Sequence, residues 1–209
     1  MDIDALLTTT RSVRRKLDLE RPVEPHILAD CLRIAQQAPI AGAFLKGFRW
    51  LVIDDQETKN ELAQYIRTRG EASQAAYGHL TAPRNLASGR YLLDVLERIP
   101  VYVMACLEGR PGGDNGALSA FYGSVYPALW SLQLALHARG LGSTIVGYHL
   151  AQHEFQVGRL LDIPPEVTQV SLLAIGYTTP GTFRPAARPP LDRITYRNRW
   201  GARLLSDAP

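Results

Sequence analysis

Six residues near the start, Arg11, Ser12, Val13, Arg14, Arg15 and Lys16, set four cationic heads and one hydroxyl around a single apolar side chain. Guanidinium groups present forked donors that match phosphate and carboxylate oxygens. In an extended backbone alternate side chains share a face, so Ser12 and Arg14 point one way and Arg11, Val13 and Arg15 the other. Such a segment can hold a phosphate with some members and anchor to acids with the rest, or it can be a solvated basic turn. Arg184 and Arg188 in a proline-rich tail, together with the Gly140-Leu141-Gly142 junction, are the other features from which a grip on a phosphorylated cofactor could be built.

No protein-derived nucleophile stands out. The chain has no Gly-x-Gly-x-x-Gly, no phosphate loop, no nucleophile elbow and no Ser, His and acid set at telling spacing. His149 and His153 stand four apart with Glu154 adjacent, a spacing that on one helix would aim both rings at a metal ion. Leu150-Ala151, however, reads as a strand-to-helix junction, which throws the rings apart, so no metal is expected. His26, His79 and His137 are isolated. Cys31 and Cys106 make neither a disulfide framework nor a metal cluster and read as small core residues.

The formal charge of +3 is modest, but only Lys16, Lys46 and Lys59 of the 23 basic residues are lysines. That bias alone does not point to nucleic acid, and no zinc finger, aromatic pair or long basic run supports one. The first residues carry acids where a secretion signal carries positive charge, so a cytoplasmic protein is expected. At 209 residues a single domain spanning 1–209 is the natural division.

A charge-free stretch from Ala117 to Ala138 dominates the middle of the chain. Leu118, Phe121, Val125, Leu129, Leu132, Leu134 and Leu136 leave it no polar face, which predicts a long buried central helix. Its polar interruptions, and the lack of a second such segment, argue against a membrane span. Gly140 supplies the positive φ that ends a helix, and residues 143–146 read as a strand. Helices are expected over 4–9, 24–37, 56–67, 91–98 and 152–161, the third capped by Asp54 or Asp55. Strands are expected over 48–53, 101–107 and 167–177. Residues 68–90 read as a flexible excursion or lid, and 178–209 as an extended tail wrapping along a surface, its own or a partner subunit's. Alternating elements give an α/β (α+β) fold, a mixed central sheet covered by helices.

Arg11-Ser12-Val13-Arg14, Ala38-Pro39 with a small-residue loop before Trp50-Leu51-Val52-Ile53, Gly140-Leu141-Gly142, Leu172 through Tyr177 and Arg188-Pro189-Pro190-Leu191 occur in an order and spacing that resemble the FMN-dependent nitroreductase family over nearly the whole chain. The resemblance implies a three-layer nitroreductase-like fold and a homodimer with two equivalent FMN sites at the subunit interface. It implies an NAD(P)H-dependent FMN oxidoreductase that passes electrons to a nitroaromatic, quinone or similar small acceptor. By the same resemblance Arg11, Ser12, Arg14 and Arg188 hold the phosphate and ribityl arm, and Ile145, Val146 and Gly147 lie against the isoalloxazine ring. Phe121, Tyr122 and Tyr126 are candidates for the acceptor pocket.

One loop departs from that pattern. Where the family shows amide side chains serving the polar edge of the flavin, this chain has Ile40, Ala41, Gly42, Ala43, Phe44 and Leu45, and Lys46 falls near the expected Gln. A cation there would favour negative charge near the flavin's N1. The departure keeps two alternatives open: a non-catalytic flavin-binding or sequestering protein, and a flavin-free structural relative.

Overall fold

The computed structural model describes residues 2–179 and 181–204. Its centre is one four-stranded sheet in the order β1-β2-β4-β3, where β1 is Phe48–Ile53, β2 Val101–Glu108, β3 Leu141–Val146 and β4 Val167–Tyr177. All three strand pairings are antiparallel. Among the described residues parallel contact is confined to isolated bridges, Ser12 with Ser143 and Gly109 with Val167. β2 and β4 are buried almost end to end. Strands buried on both faces read as continuous apolar runs rather than alternating ones, which is why both were recognisable in the sequence.

Helices cover both faces, giving three layers. One face packs Tyr102, Met104 and Leu172 against Leu62, Ile66 and Leu96. The other packs Val103, Leu107 and Leu173 against Phe121, Leu129 and Leu132. Each fully buried Leu, Ile or Phe contributes about 1.5–3 kcal/mol, so the two layers supply the main drive for folding.

Helix starts follow local chemistry. In α1 (Ile3–Thr9) the Asp2 carboxylate accepts from the Ala5 N–H at 2.8 Å. α2 (Pro25–Ala35) opens on a proline, whose fixed φ suits the first turn. Asp55 caps α3 (Gln56–Tyr77), accepting from the Thr58 N–H at 2.8 Å.

Two expectations are corrected. Residues 68–90 are helical rather than irregular: α3 runs on to Tyr77, a short 3₁₀ turn covers Gly78–Leu80, and α4 spans Pro83–Asp94. Glu71, Ala72, Gln74, Ala75 and Ala76 are good helix formers and outweigh the single Gly70. The central apolar stretch is two helices, α5 (Asn115–Gly123) and α6 (Tyr126–His137). Pro127 has no N–H to bond back to Gly123, so the helix stops and Pro127 opens a new one. Its burial is also one-sided, since Leu118, Tyr126 and Trp130 remain exposed in the single chain. Gly140 has φ of +78° and turns α6 into β3 as expected.

The start and the tail of the chain meet. The Asp18 N–H donates to the Tyr177 carbonyl at 2.7 Å and the Thr179 N–H to the Lys16 carbonyl at 2.9 Å. Residues 181–188 therefore lie against their own chain's basic segment, with the Lys16 ammonium 5.3 Å from the centre of the Phe183 ring. α7 spans Glu154–Leu160, and a 3₁₀ turn follows in the tail at Leu191–Arg193.

Candidate functional site

The basic segment is held by strand geometry rather than left to solvent. The Val13 N–H donates to the Ser143 carbonyl at 2.9 Å, and Ser12 bridges β3 in parallel. Val13 is buried and anchors the segment, so its neighbours in sequence are lifted to the surface. Gly142 makes the approach feasible: a Cβ there would stand 2.8 Å from the Val13 Cβ. β-branched Val13 thus sits where only a glycine can lie beneath it.

A cavity of about 670 Å³ opens beside this junction. Arg11, Ser12, Arg14 and Arg188 line it, with Ile145 and Gly147 from the end of β3. Its volume falls in the roughly 300–1,000 Å³ range of small-molecule and cofactor sites. Among the described residues no carboxylate lines it, so the three guanidinium groups meet no competing acid there. That donor set fits a phosphate ester: three forked cations and a hydroxyl for the charged end, with Ile145 as an apolar wall and Gly147 as a low point in the floor.

The remaining sequence candidates fall elsewhere. Val146 is buried in the core with Tyr102 and Leu172, because side chains alternate along a strand and Ile145 takes the outward position. Phe121 is a core residue, packed edge-on against Phe44 and Tyr122. Tyr122 and Tyr126 line a separate cavity of about 510 Å³ with Arg110, Leu150 and Glu154. Lys46 is exposed, its carbonyl accepts from the Arg49 guanidinium at 2.5 Å, and it does not line the arginine-bearing cavity.

Several lining groups were not foreseen. Gln133 and Trp130 project from α6, and Ser73, Gln74, Tyr77 and Asn85 form a polar wall from α3 and α4. The Gln133 amide donates to the Ser143 hydroxyl at 3.2 Å, tying α6 to the strand that carries the basic segment. A lone Gln in a charge-free helix was the only signal for the first group. The second lay in the stretch read as an excursion, where no pattern separates a cavity wall from a solvated face.

The histidines and cysteines have structural settings. His149 is fully buried in a 3₁₀ turn, Tyr148–Ala151, and burial holds its pKa down at about 4. His153 packs at 5.5 Å against Tyr65, so the two rings occupy different surroundings. Burial pushes the Cys106 thiol up to about 12 and raises Cys31, the wrong direction for thiolate chemistry.

A family model described as Nitroreductase family matches residues 7–177. No curated protein matches the chain by sequence. Solved structures agree with the fold. An iodotyrosine deiodinase bound to FMN and 3-iodo-L-tyrosine is 21% identical, with 93% of this chain and 97% of that chain covered at a TM-score of 0.66. An FMN-dependent nitroreductase from Clostridium difficile is 19% identical, covering 95% and 100% at 0.68. An NADPH:FMN oxidoreductase from Vibrio harveyi, complexed with NAD+, is 16% identical, covering 93% and 76% at 0.67.

Proposed function

The chain belongs to the Nitroreductase family, and we propose that it is an FMN-dependent oxidoreductase passing electrons from NAD(P)H to a nitroaromatic, quinone or similar small acceptor. The observation that carries this reading is the convergence of Arg11, Ser12 and Arg14 from one end of the chain with Arg188 from the other on one acid-free cavity. Structural neighbours that carry FMN in their descriptions support the choice of cofactor, and one of them, a deiodinase, leaves the acceptor open.

FMN, when bound, supplies hydride acceptance and onward electron transfer, chemistry that no side chain can perform. The chain supplies the rest. Arg11, Arg14 and Arg188 bind the phosphate and Ser12 offers a hydroxyl to it, which fixes the cofactor at its charged end. Ile145 gives the ring an apolar surface, and Gly147, without a side chain, lets it approach the backbone. Trp130 and Tyr77 add aromatic surface to the cavity lining. Tyr122 and Tyr126 remain the acceptor-side candidates from the sequence, but among the described residues of the single chain their cavity shares no member with the arginine-lined one; Phe121 packs against Tyr122 from the core.

We place the active form as a homodimer in the cytoplasm. Exposed apolar side chains on α5, α6 and β3 support the dimer, and two free, buried cysteines suit a reducing compartment. Among the described residues no helix is long and apolar enough to cross a membrane.

The visible spectrum of the purified protein, before and after anaerobic addition of NADH or NADPH, tests the reading. A flavin band that bleaches on addition is expected. A flavin band that persists favours a sequestering role, to which the amide-free loop at 40–47 already lends weight. A chain that takes up no flavin contradicts both.

A further inference from the structure

A second cavity, of about 830 Å³, adjoins the first and shares Arg11, Ser12 and Arg14 with it. Arg15, Lys16, Arg84 and Arg184 add to its charged lining, and among the described residues no Asp or Glu contributes. Among the described residues none of these six cations takes part in an ion pair. Three elements supply them: the basic segment, the start of α4 and the tail. The tail is docked by Arg11, whose Nη1 donates to the Arg184 carbonyl at 3.3 Å, and α4 by Arg15, whose Nη2 donates to the Ala87 carbonyl at 3.2 Å.

This is more positive charge than one phosphate ester can answer. A phosphate carries at most about two negative charges near neutral pH, and Arg11, Arg14 and Arg188 already exceed that. Arg84 adds a further mismatch, since it lies in the first turn of α4, where the helix dipole disfavours a cation, and that helix has neither an acidic residue in its first turn nor a side-chain cap. An anion in the groove would relieve both the repulsion among the cations and the bare helix start.

We propose that this groove holds the 2′-phosphate of the reducing nucleotide, so that the chain takes NADPH in preference to NADH. The inference rests on the oxidoreductase reading above. Continuity with the flavin cavity limits the ligand to one that can reach the cofactor with a reacting ring while carrying a phosphate away from it. Of the two nicotinamide donors, NADPH alone brings the extra phosphate, and Arg84 and Arg184, whose guanidinium groups are not engaged in docking the tail or α4, are the cations left to meet it once the flavin phosphate is answered.

Calorimetry on the FMN-loaded full chain with adenosine 2′,5′-bisphosphate and 5′-AMP as probes tests this without relying on turnover. One charge-assisted contact predicts that the bisphosphate binds at least about tenfold more tightly at low salt. The exposed Arg84→Ala should shrink that ratio and Arg84→Glu should abolish it, with FMN affinity unchanged in both. Equal affinity for the two probes overturns the proposal, as does a ratio untouched by Arg84→Glu. Loss of FMN affinity in the Arg84 variants in step with the probe also overturns it, by assigning the groove to the flavin's own phosphate. A chain that binds no FMN fails at the preceding titration, which separates failure of the flavin reading from failure of the groove.

Discussion

Gly142 lies so close beneath Val13 that a Cβ on it would come within 2.8 Å of the Val13 Cβ and of Thr178 Cγ2. The contact joins three parts of the site: β3, the basic segment and the first residues of the tail. Gly142→Val should push Arg11, Ser12 and Arg14 off register, costing about 1–3 kcal/mol of stability through overpacking and weakening FMN binding further than that loss alone explains. Denaturant unfolding with FMN titration of the same protein checks it; unchanged FMN affinity would show that the segment need not be held there.

Gly70 sets the distance between α3 and the cavity wall in a similar way. A Cβ there would meet Leu93 Cδ2 at 2.7 Å and Tyr148 Cδ2 at 3.1 Å, and Tyr148 lines the phosphate cavity. Gly70→Ala gains helix propensity of up to about 1 kcal/mol but meets this crowding, while Gly70→Val meets more of it and should be destabilising by about 1–3 kcal/mol. Thermal unfolding of both variants decides; a stabilised Gly70→Val would mean that α3 does not pack as described.

His149 makes stability depend on pH. Its pKa is held at about 4, against an ordinary 6.5, because burial penalises the imidazolium. The unfolded chain therefore takes up a proton first, so this contribution is complete above about pH 6.5 and is lost as pH falls toward 4. A shift of that size is worth on the order of 3 kcal/mol. Unfolding free energies measured across this window should fall with pH in the native sequence and fall less steeply in His149→Phe. Parallel slopes would contradict a neutral, buried His149.

Assembly is testable through the exposed apolar surface. Leu118, Tyr126, Trp130 and Ile145 are 37–46% exposed in the single chain, and Trp130 and Ile145 also line the phosphate cavity. Sedimentation should give about twice the 23.1 kDa chain mass, and Trp130→Glu should weaken dimer and flavin binding together, because a carboxylate would be desolvated at the interface and would compete with the flavin phosphate for the cavity's arginines. A monomer that carries a full complement of FMN would contradict an interfacial site.

Much of this was legible in the sequence, for identifiable reasons. β2 and β4 are continuous apolar runs, Gly140 needs positive φ, and Asp55 and Pro25 mark helix starts, so local chemistry and tertiary position agree. Arg11, Ser12, Arg14 and Arg188 were singled out together by the family resemblance, because the basic run read by itself left a solvated turn equally open. Two helix boundaries failed. Pro127 was read as an interruption within one helix when it begins another, and the extension of α3 through Gly70 depends on Leu93 and Tyr148 leaving room only for a glycine. Val146 and Ile145 could not be told apart until the pairing of β3 with β4 fixed which of them faced the core. Lys46, Tyr122 and Tyr126 were placed by resemblance, and spacing alone gave no means of deciding which cavity, if any, they would reach.

Arginines from both ends of the chain are proposed to hold the phosphate of FMN. Titrating FMN and riboflavin into flavin-free protein tests it directly, since the two ligands differ only in that group. Each charge-assisted hydrogen bond is worth about 1.5–3 kcal/mol, so FMN should bind at least about tenfold more tightly, and Arg188→Ala should lower FMN affinity while leaving riboflavin unchanged. Equal affinity for FMN and riboflavin, or an Arg188→Ala variant that weakens both alike, would contradict it.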